Sequence, residues 1–227
     1  MPFFGAVRLF ATRRTFATAS TLAGLAALAA LSLLDPMDGV MAQGAAAGSV
    51  AKPVSLPDMA LGLAKAPVAI VEYASMSCPH CAGFEQNVFP MLKSKYIDTG
   101  KVRFVFREFP LDVKAVAASM LARCIAGDDA GKYFGAVEAL FKAQDQLMEH
   151  TTDILKQIGK QLAGMREAAV ETCVRDQMLD KLKADQKYAF ETLKVDATPT
   201  FFVNGEKLRG AMSFEELDQK IRALLKR

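Results

Sequence analysis

The sequence predicts an α/β protein in which an all-helical segment is inserted into a strand-and-helix domain, and three of its features point there. First, an apolar run at 67–73, rich in the β-branched Val68, Ile70 and Val71, breaks at small residues and passes directly into a helical pattern. Second, the stretch from Leu111 to Leu193 carries helical periodicity alone, between two blocks that read as strands. Third, Thr200-Phe-Phe-Val203, Asn204-Gly205 and Glu206-Lys-Leu208 form a hairpin signature, followed by one more amphipathic helix.

Residues 1–42 read as a targeting segment and not as part of the fold. Arg8, Arg13 and Arg14 supply a positive n-region, 16–34 is an Ala/Leu-rich h-region, and Val40-Met41-Ala42 offers small residues for signal-peptide cleavage after Ala42. Thr12-Arg13-Arg14-Thr15-Phe16 resembles a twin-arginine export signal, although Ala17 and Thr18 depart from that pattern; the general secretory route is the alternative. Residues 43–55 are a Gly/Ala/Ser-rich flexible leader, too short for an oligomerising module, so a monomer is expected. The first strand ends in Ala74, Ser75 and Ser77, and Cys81, Phe84, Val88, Met91, Leu92 and Tyr96 then recur at helical spacing. This predicts a helix over 78–95, kinked by Pro90. Asp98-Thr99-Gly100 is a turn, and 102–109 alternates as a second core strand closed by Pro110. Val113, Val116, Met120 and Cys124 then share a helical face, 133–144 is a second helix, and 151–162, 165–173 and 178–193 add three more, with Thr151 or Thr152 as N-cap. Ser213 and Glu216 form a capping box, and Phe214, Leu217, Ile221 and Leu224 line the inner face of the last helix.

The chemistry is concentrated in Cys78-Pro79-His80-Cys81, placed where the first strand ends and a helix begins. A helix N-terminus presents unpaired N–H groups and the positive end of the macrodipole, which favour an anion and lower a thiol pKa. Cys78 is therefore expected as the exposed nucleophile and leaving group, and Cys81, one turn inside the helix, as the resolving thiol. Pro79 fits the first helical turn, where its missing N–H costs nothing, and a cationic His80 between the cysteines would favour the thiolate. A disulfide whose reduction releases a stabilised thiolate is oxidising. A zinc half-site would need a second paired motif, whereas Cys124 and Cys173 stand alone and His150 has no neighbour at ligand spacing.

The motif, with Phe84 and Glu85 after it and Glu72 six residues before Cys78, resembles the DsbA family of bacterial disulfide oxidoreductases. A second block, running from Val195 through Thr198-Pro199 to Gly205, resembles that family's cis-proline loop and following hairpin. Two motifs in the expected order are far more specific than a lone CxxC. The resemblance implies a thioredoxin fold over 56–111 and 194–227 with a helical domain inserted at 112–193. It further implies that Glu72 is a buried acid relaying the proton of Cys81, that Glu85 either modulates the thiolate or is only a solvated charge, and that the Thr198 backbone pairs with an extended substrate before cis Pro199. Cys124 and Cys173 are expected to form a structural disulfide, as suits an exported, oxidising setting, two free buried thiols being the alternative.

Composition bounds the remainder. The 227 residues are 52% hydrophobic with a formal charge of +3, and there is no charge run or Gly-rich phosphate loop, which argues against nucleic-acid or nucleotide binding. The reading is a periplasmic dithiol oxidase that donates its disulfide to folding exported proteins, needs no metal or organic cofactor, and is reoxidised by a quinone-linked membrane partner of the DsbB kind. An isomerase or reductase on the same fold, or a redox-inactive binding or chaperone module, are the alternatives.

Overall fold

A computed structural model describes residues 55–175 and 178–226; the expected signal peptide and nearly all of the leader lie outside the described residues. Five strands form one sheet: β1 (Met59–Leu61), β2 (Val68–Ala74), β3 (Val102–Glu108), β4 (Thr200–Val203) and β5 (Glu206–Arg209), in the order β1-β3-β2-β4-β5. β2 is central, parallel to β3 and antiparallel to β4, and the other pairings are antiparallel. The helices are α1 (Pro79–Asn87), α2 (Phe89–Leu92) with a π-helical turn at Lys93–Ile97, α3 (Val113–Ala126), α4 (Ala130–Lys142), α5 (Gln144–Glu149), α6 (Thr151–Ala163), α7 (Glu167–Cys173), α8 (Met178–Glu191) and α9 (Phe214–Leu225). All the elements described between β3 and β4 are helical.

Both faces of the sheet are covered, which is why β2 and β3 read as nearly continuous apolar runs. Ile70, Phe104, Phe106, Phe201 and Val203 point to the larger core, shared with α1 and α4. There Phe84 lies 4.7 Å from Phe201 and Phe89 4.9 Å from Phe104, centroid to centroid. Val71, Tyr73, Val105 and Phe202 point to the opposite face, against Ala189, Leu193 and Val195. Along β2 the alternation places Glu72 on the larger-core side, in register with Phe106 and Phe201. The Asn204-Gly205 turn has positive φ at both residues (46° and 87°), the conformation a two-residue hairpin demands. Ser213 and Glu216 make the capping box.

Several elements differ from the sequence expectation. β1 is a three-residue edge strand, too short to leave a periodic signal. The helix expected over 78–95 breaks at Val88, one residue before the segment containing Pro90, and continues through the π-helical turn. On α3, Val113 is 81% exposed and Cys124 is exposed, but Met120 on the same face is fully buried with Leu182, and a second, small-residue face of Ala115, Ala118 and Ala122 with Leu121 and Ile125 joins the larger core. The 133–144 helix begins earlier, at Ala130, capped by Asp129, and is followed by the separate α5. Thr151 is the first residue of α6 and not its cap; its hydroxyl donates to the Leu147 carbonyl at 2.7 Å.

Candidate active site

Cys78 occupies the N-cap of α1, with extended φ and ψ (−86°, 116°) and Pro79 in the first turn. The turn before it is held by Ser75, whose buried hydroxyl accepts from the N–H groups of Ser77 (3.3 Å) and Leu111 (3.1 Å). The Ser75 carbonyl in turn accepts from Cys78 N at 3.0 Å. These bonds turn the end of β2 so that the first N–H groups of α1 surround the Cys78 sulfur: Cys81 N donates to Sγ at 3.4 Å. Cys78 Sγ also lies 3.3 Å from the Thr198 carbonyl, to which the thiol donates. The Thr198–Pro199 peptide bond is cis. Cys78, Cys81 and the Thr198–Pro199 loop are thus brought together from distant parts of the chain.

The expected exposure of Cys78 needs correction, because the residue is only 4% exposed. The loops that supply its hydrogen bonds also cover it. The two thiols are free and electrostatically unlike each other. Hydrogen bonding with the Cys81 side chain is the leading cause that lowers the Cys78 pKa to about 5; burial opposes it, and the Thr198 side chain and the backbone N–H groups of Cys81 and His80 reinforce it. Cys81 is pushed strongly upward, first by its own burial, then by its hydrogen bond to Cys78 and the nearby negative charge of Glu72 and Cys78. A depressed thiol followed by an elevated one gives the two cysteines unequal readiness to ionise. His80 is exposed, and the contact it makes with the Cys78 sulfur is through its backbone N–H.

Glu72 is 1% exposed, and its Oε2 has no hydrogen-bond partner. Burial raises its pKa well above the usual carboxylate range, helped by the charges of Glu85 and Cys78. It lies close enough to Cys81 to contribute to the upward displacement of that thiol. Glu85 is not a solvated surface charge: it is 6% exposed and its pKa is raised to about 8, mainly by burial and secondarily by Glu138. It lines a groove of about 810 Å³ that also includes Leu61, Phe89, Phe134 and Glu138. Cys124 and Cys173 form a disulfide between α3 and α7, with Cα atoms 5.9 Å apart.

The sequence marks Ser75 only as a turn residue and does not single out Gln144. Gln144, the first residue of α5, is buried, and its side-chain amide donates to the carbonyls of Met76 (2.9 Å) and Cys78 (3.1 Å). A polar residue directly after the amphipathic pattern of α4 gives no sign in one dimension that it turns back onto a loop 66 residues away. Among the described residues, no helix is long and apolar enough to cross a membrane.

Residues 55–223 match the thioredoxin family. The chain is similar to alpha-DsbA1 of Wolbachia pipientis, whose crystal structure superposes with a TM-score of 0.71 at 33% identity, over 79% of this chain and 96% of that one. It is 37% identical over 151 residues to a Rickettsia typhi protein provisionally named protein-disulfide oxidoreductase, covering 65% of this chain and 55% of that protein. It is 25% identical over 170 residues to disulfide bond formation protein D of Bacillus subtilis, covering 73% and 76%. The chain therefore spans little more than half the length of the rickettsial relatives it matches.

Proposed function

The chain belongs to the DsbA-like branch of the thioredoxin family, and from that premise we propose that it is an exported thiol:disulfide oxidoreductase that donates a Cys78–Cys81 disulfide to folding proteins. The observation that carries this reading is the placing of the Cys78 sulfur at the N-terminus of α1, where Cys81 N donates to it at 3.4 Å and the cis-proline loop approaches it at the Thr198 carbonyl, 3.3 Å away; the opposite displacement of the two thiols accords with it. A substrate thiolate attacks Cys78 Sγ, the Cys78–Cys81 bond breaks, and the departing Cys81 sulfur takes a proton from the buried Glu72 carboxyl. The substrate's second thiolate then attacks the substrate sulfur of the mixed disulfide and releases Cys78 as a thiolate. Two electrons pass from the substrate, which leaves with a disulfide, to the Cys78–Cys81 pair. Thr198 offers its backbone to the incoming chain, and a membrane-bound, quinone-linked partner of the DsbB kind takes the two electrons away again.

Equilibrating the chain without residues 1–42 against glutathione tests this directly. An oxidase gives a potential near that of a strong dithiol oxidant, about −120 mV, and a value near about −270 mV, like that of thioredoxin, would leave a reductase or isomerase instead. Export to the periplasm rests on residues 1–42 serving as a cleaved signal. Fusing them to a reporter active only outside the cytoplasm should yield activity, and replacing Arg13 and Arg14 with Lys should abolish it if the twin-arginine route is used.

A further inference from the structure

The Cys78 thiolate is stabilised only if the first N–H groups of α1 keep pointing at the sulfur, and that depends on where the carbonyls just before the helix are held. The Cys78 carbonyl accepts from both Cys81 N and Ala82 N at 3.1 Å, so its direction fixes the first turn. Both that carbonyl and the one at Met76 also accept from the Gln144 amide, a single NH2 group bridging the two residues that flank Ser77. Met76 is fully buried, so water cannot replace the donor there. Gln144 is in turn rigidly placed. It follows the break between α4 and α5 at Ala143 (φ −95°, ψ 14°), and it is itself 8% exposed.

We propose that Gln144 is a positioning residue of the redox centre: its amide clamps the Met76 and Cys78 carbonyls and so aims the start of α1 at the Cys78 sulfur. The helical segment between β3 and β4 would then set the behaviour of a reactive thiol carried by the other part of the fold. This inference rests on the reading of Cys78 as the nucleophile. Two substitutions separate the clamp from simple packing. Gln144→Leu keeps the approximate volume and removes both hydrogens. Gln144→Glu keeps the shape, and when ionised replaces the donor with an acceptor that repels both carbonyls.

The test is a pH titration of the Cys78 thiolate by its ultraviolet absorbance in the reduced protein, with glutathione equilibration alongside. In each variant that folds, the titration midpoint is expected to rise by about one unit, and the glutathione equilibrium constant to move about tenfold toward the disulfide, about 30 mV. Variants that fold and melt earlier, yet titrate and equilibrate like the wild type, would overturn the clamp and leave Gln144 a structural residue. Should neither variant fold, the wild-type chain still decides. The side-chain amide resonances of Gln144 are expected to shift with the same midpoint as Cys78, and resonances that do not move through that titration reject the proposal. If the wild-type thiol itself titrates near its ordinary value, it is the assignment of Cys78 that fails.

Discussion

At the scale of single residues, hydrogen bonding and burial displace the groups of the site from their usual titration ranges in opposite directions. Cys78 has a depressed pKa in the folded dithiol, about 5 against about 8.5 for a free thiol. The stability it contributes is therefore present above the free-thiol value and is lost as pH falls through 5. In a Cys81→Ser background, where no disulfide can form, thermal unfolding should show the chain gaining stability from pH 4 to pH 8 relative to one that also carries Cys78→Ser. Glu85 works in the other direction. Its pKa is raised to about 8, so its favourable contribution is complete below the ordinary carboxylate range and disappears as pH rises through 8. Glu85→Gln should melt like the wild type near pH 4 and above it at pH 8.5, the gap opening by on the order of 1.4 kcal/mol per pH unit at its steepest. Denaturant midpoints across that range measure it. The proposed proton transfer from Glu72 to the departing Cys81 sulfur is tested by rate: with Glu72→Gln, stopped-flow mixing of the oxidised protein with a thiol peptide should show the reaction slowed by about 10²-fold, at the lower end of general acid catalysis.

At the scale of elements, side chains that begin helices also tie the active-site turn in place. Asp112 caps α3 by accepting from Ala115 N at 2.8 Å, and its carboxyl is held below its ordinary range against the opposing effect of burial, by a hydrogen bond from Ser77 and the N–H groups of Ala115 and Lys114. One carboxylate therefore joins the start of α3 to the turn that carries Cys78. Asp112→Ala is expected to cost about 1 kcal/mol in chemical denaturation, with a small rise in the Cys78 midpoint that the capping change Ser213→Ala, of similar cost but on α9, does not produce. Gly62 answers to backbone conformation instead. Its φ is +86°, and a Cβ there would lie 2.2 Å from the Val102 carbonyl, so alanine at this position cannot be placed without shifting the β1–β3 edge.

For the whole molecule, the fold depends on a buried charge keeping its partner as well as on apolar packing. Glu108, at the end of β3, accepts from Arg123 Nε at 2.5 Å and Nη2 at 2.8 Å and from the Tyr133 hydroxyl at 2.5 Å, all buried. Arg123 Nη1 also donates to the Pro57 carbonyl at 2.9 Å, so one guanidinium joins the start of the described chain, the sheet and α3. Arg123→Met would leave the Glu108 carboxylate buried without its cation, and unfolding measurements should show a loss of about 3–5 kcal/mol. The Cys124–Cys173 disulfide joins positions 49 apart in sequence, and chain entropy alone makes such a closure worth about 4 kcal/mol, an amount that the double serine variant should forfeit.

What the sequence by itself determined is local. A β-branched run meeting Cys78-Pro79-His80-Cys81 defined a strand-to-helix junction, and Asn204-Gly205 and the Ser213 capping box defined their turns, because each depends on near neighbours and on backbone preferences carried by single residues. Even Glu72 was legible, as a carboxylate in an apolar run. Tertiary structure decided whatever depends on what lies opposite. Glu85 falls at helical spacing on the same face as Cys81, Phe84 and Val88, but whether a carboxylate there is buried or turned to solvent was decided by α4, whose Phe134 and Glu138 share the groove that Glu85 lines. Besides the face that carries Met120, α3 buries its alanines, since close packing against α4 and α6 favours small residues there. Cys78 is nearly buried because the Thr198–Pro199 loop closes over it from 120 residues away. Gln144 takes its role from the fold alone, which brings the first residue of α5 against the Met76 and Cys78 carbonyls. Burial and hydrogen bonding between segments remote in sequence are properties of the assembled chain, and those are the terms that displace the thiol and carboxyl titrations on which the chemistry depends.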